Sequence, residues 1–237
     1  EVLDQLPPKR RTVIPLDLKD RREYQRAVTD FLGWLAEHSP AKARRAARAQ
    51  TIVQLGELKR LASHLKLPAV FSWVDDWLME SDEKLIVFGV HRKILHALRD
   101  RYPGRCVLVD GGVTGRKRQL AVDTFLKKPK CRLFFGNVRA AGTGWSAPGV
   151  STTAFVELPW SPGDVLQAED RTHGIARGQA GTASHAVYLL AKGTVELPLL
   201  ELIVRKQKTL NQVLDGGKGE DLDIIDELTK RILKESK

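Results

Sequence analysis

Apolar residues change their period along this chain. From Lys19 to about Met79 they recur at three- and four-residue spacing: Tyr24, Ala27, Val28, Phe31 and Leu35 form one stripe, and Ile52, Leu55, Leu58, Leu61 and Leu65 another. That period predicts amphipathic helices. From Lys84 onward, short apolar runs take over: LIVFG (85–89), CVLVDG (106–111), RLFFGN (132–137), TTAFVEL (152–158) and SHAVYLLA (184–191). The helical segments HRKILHALRDRY (91–102) and RKRQLAVDTFLKK (116–128) separate the first of these runs. Five such runs with helix-length connections predict an α/β fold, a mostly parallel sheet with helices on both faces. Glu196 to Leu214 reads as one helix, ended by GGKG (216–219) and followed by a short acidic-apolar helix.

These changes of pattern divide the chain. Residues 1–18, with Pro7, Pro8 and the run from Thr12 to Leu16, read as a connector carrying one extended segment. Residues 19–79 form an N-terminal helical region, 80–215 the sheet-containing core with its C-terminal helix, and 216–237 a tail helix. In parallel sheets ligands gather beyond the carboxyl ends of the strands. Those ends carry the polar and glycine-rich residues here: Gly89 and His91, Asp110 to Thr114, Asn137 to Gly144, and Pro159 onward.

Charge narrows the partner class. Thirty-nine Lys and Arg against 29 Asp and Glu give a formal charge of +10 and a pI near 9.7, which favours polyanions such as nucleic acid or nucleotide phosphate. Within KARRAARA (42–49) the basic residues Lys42, Arg44, Arg45 and Arg48 sit among alanines, as either a solvated helix face or a phosphate-facing patch. Cys106 and Cys131 lie in or beside strand candidates and read as buried free thiols rather than a disulfide or metal site. No apolar run approaches the roughly 20 residues that span a bilayer, and the N-terminus lacks a signal-peptide pattern. The expectation is a soluble, intracellular protein with no membrane partner.

The densest chemistry lies in ELPWSPGDVLQAEDRTHGIARGQ (157–179), where Gln167, Glu169, Asp170, Arg171, His173, Arg177 and Gln179 follow an apolar run. Arginines can fork phosphate oxygens and stabilise the charge of phosphoryl transfer; a surface turn salt-bridged with Glu169 and Asp170 is the alternative. NVRAAGTG (137–144) adds a glycine-rich loop with donors at Arg139 and Thr143. A complete phosphate site is missing. No GxxxxGK[ST] occurs, the histidines fall at no zinc spacing, and Asp226 and Glu227 sit in a helical rather than a strand pattern. A self-contained hydrolase is not expected, and no metal ligands are assigned.

The order of segments resembles the second, C-terminal RecA-like lobe of the SWI/SNF-type (SNF2) family of DNA-dependent ATPases. KLIVFGVHRKILHAL (84–98) looks like the lobe's first strand and helix, and VLVDGGVTGRKRQLAVDTF (107–125) like its DG-x-x-[ST] segment with the following arginine, Arg118. NVRAAGTGWSAPGVSTTAFVELPWSPG (137–163) resembles the glycine-containing loop, strand and Trp-Asn-Pro-like turn that come next; QAEDRTH (167–173) matches the final ATPase motif almost letter for letter. Upstream, LPPKR (6–10), LKRLASHLK (58–66) and VDDWL (74–78) resemble the entry into the lobe. ELPWSPGDVLQAEDRTHG and YLLAKGTVE look nearest the fork-remodelling, annealing-helicase branch.

That resemblance implies ATP bound between two RecA-like lobes, with Mg2+ and most of the nucleotide held by a first lobe that precedes this one. It implies Arg171 and Arg177 as catalytic arginines, Gln167, Asp170 and Gly144 near the nucleotide, and double-stranded or branched DNA as a partner. Arg92, Thr114, Arg116, Lys117, Arg118 and Arg139 are the candidate DNA contacts, mostly to phosphates, with solvated charge as the alternative; the resemblance most supports the 110–118 and 137–144 segments. The chain would then be part of a two-lobe motor, inactive alone, nuclear in a eukaryote and cytoplasmic in a bacterium. One departure stands out. The family pattern QAEDRxxRxGQ puts its second arginine three residues after the first, where this chain has Gly174; the next arginine is Arg177. Either Arg177 takes the finger role from a looped-out turn, or Arg171 acts alone, or the lobe is a degenerate binding module. Trp145 and Trp160 are each either packing anchors or nucleic-acid stacking surfaces.

Overall fold

A computed structural model describes residues 9–37, 44–141, 145, 147, 149–172, 184–214 and 223–235. Two compact units share the chain: Glu1–Pro15 with Ala69–Leu190, and Leu16–Pro68 with Ala191–Lys237. The first holds the sheet. Its strands are β1 (Lys9–Leu16), β2 (Leu85–Gly89), β3 (Cys106–Val109), β4 (Leu133–Asn137), β5 (Thr152–Phe155) and β6 (Ser184–Ala191), in spatial order β1-β6-β5-β2-β4-β3. The β2–β4, β2–β5, β3–β4 and β5–β6 pairs are all parallel. The extended segment expected between Thr12 and Leu16 is therefore the edge strand β1.

Crossover direction assigns the helices to faces. From β2 the chain steps two places to β3 through α4 (Arg92–Arg101), then returns through α5 (Gly115–Lys127), α6 (Val138–Ala141) and α7 (Pro162–Glu169). Right-handed crossovers in opposite directions lie on opposite faces. Hence α4 covers one face, and α5, α6 and α7 the other. Strand alternation agrees: Phe134 meets Phe125 of α5 at 5.4 Å between ring centres, whereas its neighbour Phe135 meets Tyr102, just after α4, at 6.1 Å.

On the α5–α7 face, one row crosses four strands, with Gly136 beside Phe88, Phe88 beside Phe155, and Phe155 beside Tyr188. Phe88 and Phe155 lie 5.6 Å apart and Phe155 and Tyr188 5.1 Å apart, all buried. Each such ring contributes about 1.5–3 kcal/mol by leaving water. Gly136 is required in this row: a Cβ there would fall 2.8 Å from Ala141 Cβ and 2.9 Å from Phe134 Cε1.

β3 stops at Val109 and β5 at Phe155, short of the runs that predicted them, although the Val156 amide still donates to the Phe88 carbonyl at 2.9 Å. α6 and α7 are not predicted by periodicity. Ser161 caps α7, its hydroxyl accepting the Asp164 amide at 3.4 Å, with Pro162 in the first turn. Helix α3 (Leu67–Glu80) also belongs chiefly to this unit, and Arg101 of α4 donates to its Asp75 at 2.9 Å. Cys131 is buried, and Cys106 is half-buried rather than buried; both are free thiols. Burial, together with the neighbouring Cys131, pushes the Cys106 thiol up to about 11.

The second unit contains α1 (Arg21–Glu37), α2 (Arg44–Leu65), α8 (Glu196–Leu214) and α9 (Ile224–Glu235). Lys66, directly after α2, is fully buried and donates to both oxygens of Glu196 at 2.7 and 2.6 Å. The same carboxylate accepts the Ala191 amide at 2.7 Å. Removing one member of such a pair costs about 3–5 kcal/mol, since the other stays buried and charged. KARRAARA enters α2 at Arg44, and its side chains up to Arg48 lie outside the described residues.

Candidate functional site

Candidate polar residues fall into two groups at opposite ends of the sheet. The N-termini of α4, α5 and α6 each follow the carboxyl end of a strand, so Arg92, Thr114, Arg116, Lys117 and Arg139 share that edge. α7 starts there as well and runs back along the face. Its last turn, with Arg171, therefore lies towards the amino ends of β5 and β6, where Ala147 donates to the Arg171 carbonyl at 2.9 Å and Thr172 meets Ser184 at 3.4 Å. The polar segment that begins at Glu157 does not collect at the carboxyl edge as the pattern predicts. It spans both ends.

At the carboxyl edge, side chains tie strand ends together. Glu157, with 1% of its side chain exposed, accepts the amides of Val90 and His91 at 2.8 Å each, and His91 Nδ1 stands 2.5 Å from its other oxygen. Burial opposes ionisation of Glu157, but the His91 ring and these amides outweigh it and hold the carboxyl below its ordinary range. Asn137 donates to the Val90 carbonyl at 2.6 Å and accepts the amides of Arg139 and Ala140. Asp110, past β3, receives Arg92 Nε at 2.8 Å, His96 Nε2 at 2.9 Å and the Gly112 amide at 2.9 Å. His96 first, then Gly112 and Arg92, keep its carboxyl below the ordinary range despite burial. Apart from the local bond between Asp110 and Gly112, spacing signals none of these carboxylate contacts; strand order brings the partners together.

Thr114, Arg116 and Lys117 are exposed at the start of α5, where Gly115 adopts the left-handed φ of 52° and Thr114 makes no side-chain cap. Arg92 keeps 64% of its side chain exposed while bonded to Asp110, and Arg139 keeps 74% while its Nε reaches Asp164 at 3.1 Å. Arg118 shares a stripe of α5 with Val122 and Phe125, and is half-buried.

Arg171 is held by main chain. Its Nε donates to the Gln167 carbonyl at 3.0 Å and its Nη1 to the Trp145 carbonyl. Burial lowers its pKa against the opposing charge of Asp170, and the positive charge of Arg118 acts with burial. Trp145 packs on Phe134, 4.6 Å between ring centres, and donates through Nε1 to Ala141 at 2.7 Å, the arrangement of a packing anchor. Gln167 is exposed on α7. Asp170 is exposed and takes Lys9 at 2.5 Å, while Glu169 is buried and takes Arg11. Both partners, Lys9 and Arg11, come from β1, so these ion pairs tie the turn to the edge strand rather than to Arg171. Arg177 and Gly144 lie outside the described residues. Among the described residues, no group of three or more His, Cys, Asp or Glu side chains is placed to hold a metal ion, and no helix is long and apolar enough to cross a membrane.

Comparison with known proteins agrees with this architecture. Residues 68–176 match the helicase conserved C-terminal domain. The human DNA annealing helicase and endonuclease ZRANB3 is 31% identical over 222 residues, covering 92% of this chain and 20% of that protein. The chain thus spans about a fifth of the length of this curated relative. Among solved structures, the C-terminal part of the Fun30 ATPase domain superposes with a TM-score of 0.68 at 14% identity, covering 98% of each chain. The Sulfolobus solfataricus SWI2/SNF2 ATPase core in complex with double-stranded DNA gives 0.67 at 16% identity, covering 89% of this chain and 47% of that one. The mostly parallel sheet with helices on both faces is RecA-like, and the chain belongs to the SNF2 family, as its C-terminal helicase lobe, related to the annealing helicases.

Proposed function

We propose that this chain is the second lobe of an ATP-dependent double-stranded DNA translocase or remodeller. ATP and its Mg2+ would be held chiefly by a first lobe preceding it in the same polypeptide, through the connector at residues 1–18. In the shared cleft, Arg171 would leave its backbone carbonyl partners to meet the terminal phosphate, with Gln167 and Asp170 beside it and Arg118 adding positive potential. Arginine in that position stabilises the charge of phosphoryl transfer. Arg177 is the second candidate finger. Gly144 would help couple the nucleotide to DNA.

One observation carries this reading. The basic residues of the carboxyl edge stand apart from Arg171, yet Trp145, whose carbonyl Arg171 holds, comes only six residues after Arg139 in the chain. A shift of the edge against DNA phosphates has a covalent route to the arginine. Arg92, Thr114, Arg116, Lys117 and Arg139 would follow the backbone without reading sequence, as a motor requires. Closure of the lobes would order Arg171, and product release would reopen them.

The test is ATP turnover by the complete two-lobe protein with and without duplex DNA. Arg171→Ala should lower the DNA-stimulated rate roughly 10³-fold or more, and Arg177→Ala should do so if the displaced arginine serves as a finger. This chain alone should show no turnover. No loss of rate in either variant would favour a RecA-like lobe that serves as a binding module, its own arginines taking no part in the hydrolysis. Rapid hydrolysis by the chain alone would end the shared-cleft reading.

A further inference from the structure

Glu169 and Asp170 immediately precede Arg171, and both are bonded to β1. Arg11 forks Glu169, with Nε 2.8 Å from Oε1 and Nη2 2.7 Å from Oε2; Tyr188 of β6 donates its hydroxyl to Oε1 at 2.5 Å. Glu169 keeps only 2% of its side chain exposed, and Lys9 stands 2.5 Å from Asp170 and 3.7 Å from Glu169. The buried Thr172 returns its hydroxyl to the Glu169 carbonyl at 3.2 Å. The last turn of α7 is therefore fixed on both sides of Arg171, and its side-chain ties come from two strands. A bidentate guanidinium–carboxylate pair fixes orientation as well as distance, which a lysine at the same place cannot do.

We propose that Arg11, assisted by Lys9, is a positioning residue that sets Arg171 through Glu169 and Asp170, and so links the strand by which the chain enters this lobe to the arginine. The inference rests on Arg171 acting at the nucleotide. Arg11 itself touches neither the Arg171 guanidinium nor the Trp145 carbonyl that receives it. Its effect must pass through the α7 backbone, where a displacement of about 1 Å can cost roughly 100-fold in rate. Because β1 lies within the connector from the first lobe on that reading, movement of the connector would reach Arg171 through the ion pairs of Arg11 and Lys9.

The experiment measures kcat and KM for ATP of the complete two-lobe protein on duplex DNA. Arg11→Gln, Arg11→Lys and Tyr188→Phe are each made in the native and the Arg171→Ala backgrounds. Arg11→Gln should lower kcat roughly 10- to 100-fold and leave KM within about twofold. Arg11→Lys should restore only part of the loss. In the Arg171→Ala background, Arg11→Gln should leave the residual rate unchanged, because the residue it positions is gone. Equal losses in both backgrounds would overturn the proposal in favour of a general effect on the fold. Full kcat in Arg11→Gln, with kcat lost in Arg171→Ala, would overturn it while leaving the nucleotide reading intact. Full kcat in Arg171→Ala would remove the nucleotide reading and this inference with it. If Arg11→Gln does not fold, Tyr188→Phe decides: it leaves the Arg11 fork in place and should cost roughly threefold in kcat with a melting temperature lowered by only about 2–4 °C, and no loss of kcat would overturn the proposal.

Discussion

Arg171 donates through Nη1 to the carbonyl oxygen of Trp145, and the Ala147 amide donates back to the Arg171 carbonyl at 2.9 Å, so the arginine and the loop before β5 clasp each other. The clasp is only as firm as Trp145. That residue is set by its ring on Phe134, 4.6 Å away, and by its Nε1 bond to Ala141.

Trp145→Ala removes both anchors. Complete burial would make the cost about 3–5 kcal/mol; for a half-exposed ring about 2–3 kcal/mol is expected. Urea denaturation of this chain followed by circular dichroism measures it. Trp145→Phe keeps the ring against Phe134 but loses the indole donor, so it should recover most of the stability. An unchanged midpoint in Trp145→Ala would show that Trp145 does not hold the loop.

Gly136→Ala tests the close approach of α6 to the sheet. The new methyl would meet Ala141 Cβ at 2.8 Å, Phe134 Cε1 at 2.9 Å and Phe88 Cε1 at 3.2 Å, closer than such atoms tolerate. Rings on both sides and a helix above leave no free direction, so a loss of about 1–3 kcal/mol is expected. The displaced α6 should also disturb Trp145, which follows it. A melting temperature equal to that of the native chain would show that α6 lifts at no cost.

The sheet was legible because its strands are nearly all apolar, and a run such as LIVFG has few other fates in a chain of this composition. QAEDR was legible as a motif, yet its surroundings were not. Glu169 is paired across 158 residues with Arg11, and nothing near either residue announces it. The same holds for His91 with Glu157 and for Arg92 with Asp110, each pair joined by strand order rather than spacing. α6 escaped notice because four residues cannot show a helical period, and α7 because its polar outer face hides the buried Val165 and Ala168. Periodicity reads the core face of an element. It does not read which polar groups the topology brings together.

Acid stability follows from Glu157. The folded state holds its carboxyl below the ordinary 4.5, so above 4.5 its full contribution to stability is present. As pH falls below 4.5 the unfolded chain takes up the proton first, and the contribution is lost as pH passes through the lowered folded value. Asp110, held low by His96, Gly112 and Arg92, acts in the same direction below its ordinary 3.8. Glu157→Gln should therefore flatten the pH dependence of unfolding in the first window while Asp110 still supplies the second. His91→Ala removes the ring from Glu157 but leaves the two amides, so the acid midpoint should move up in pH without losing its steepness. Denaturant midpoints measured from pH 7 to pH 3 decide the matter. An acid midpoint unmoved in both variants would mean that the strand ends are not held together by the Glu157 carboxylate, and the carboxyl edge would then owe its shape to the Asn137 and Asp110 contacts alone.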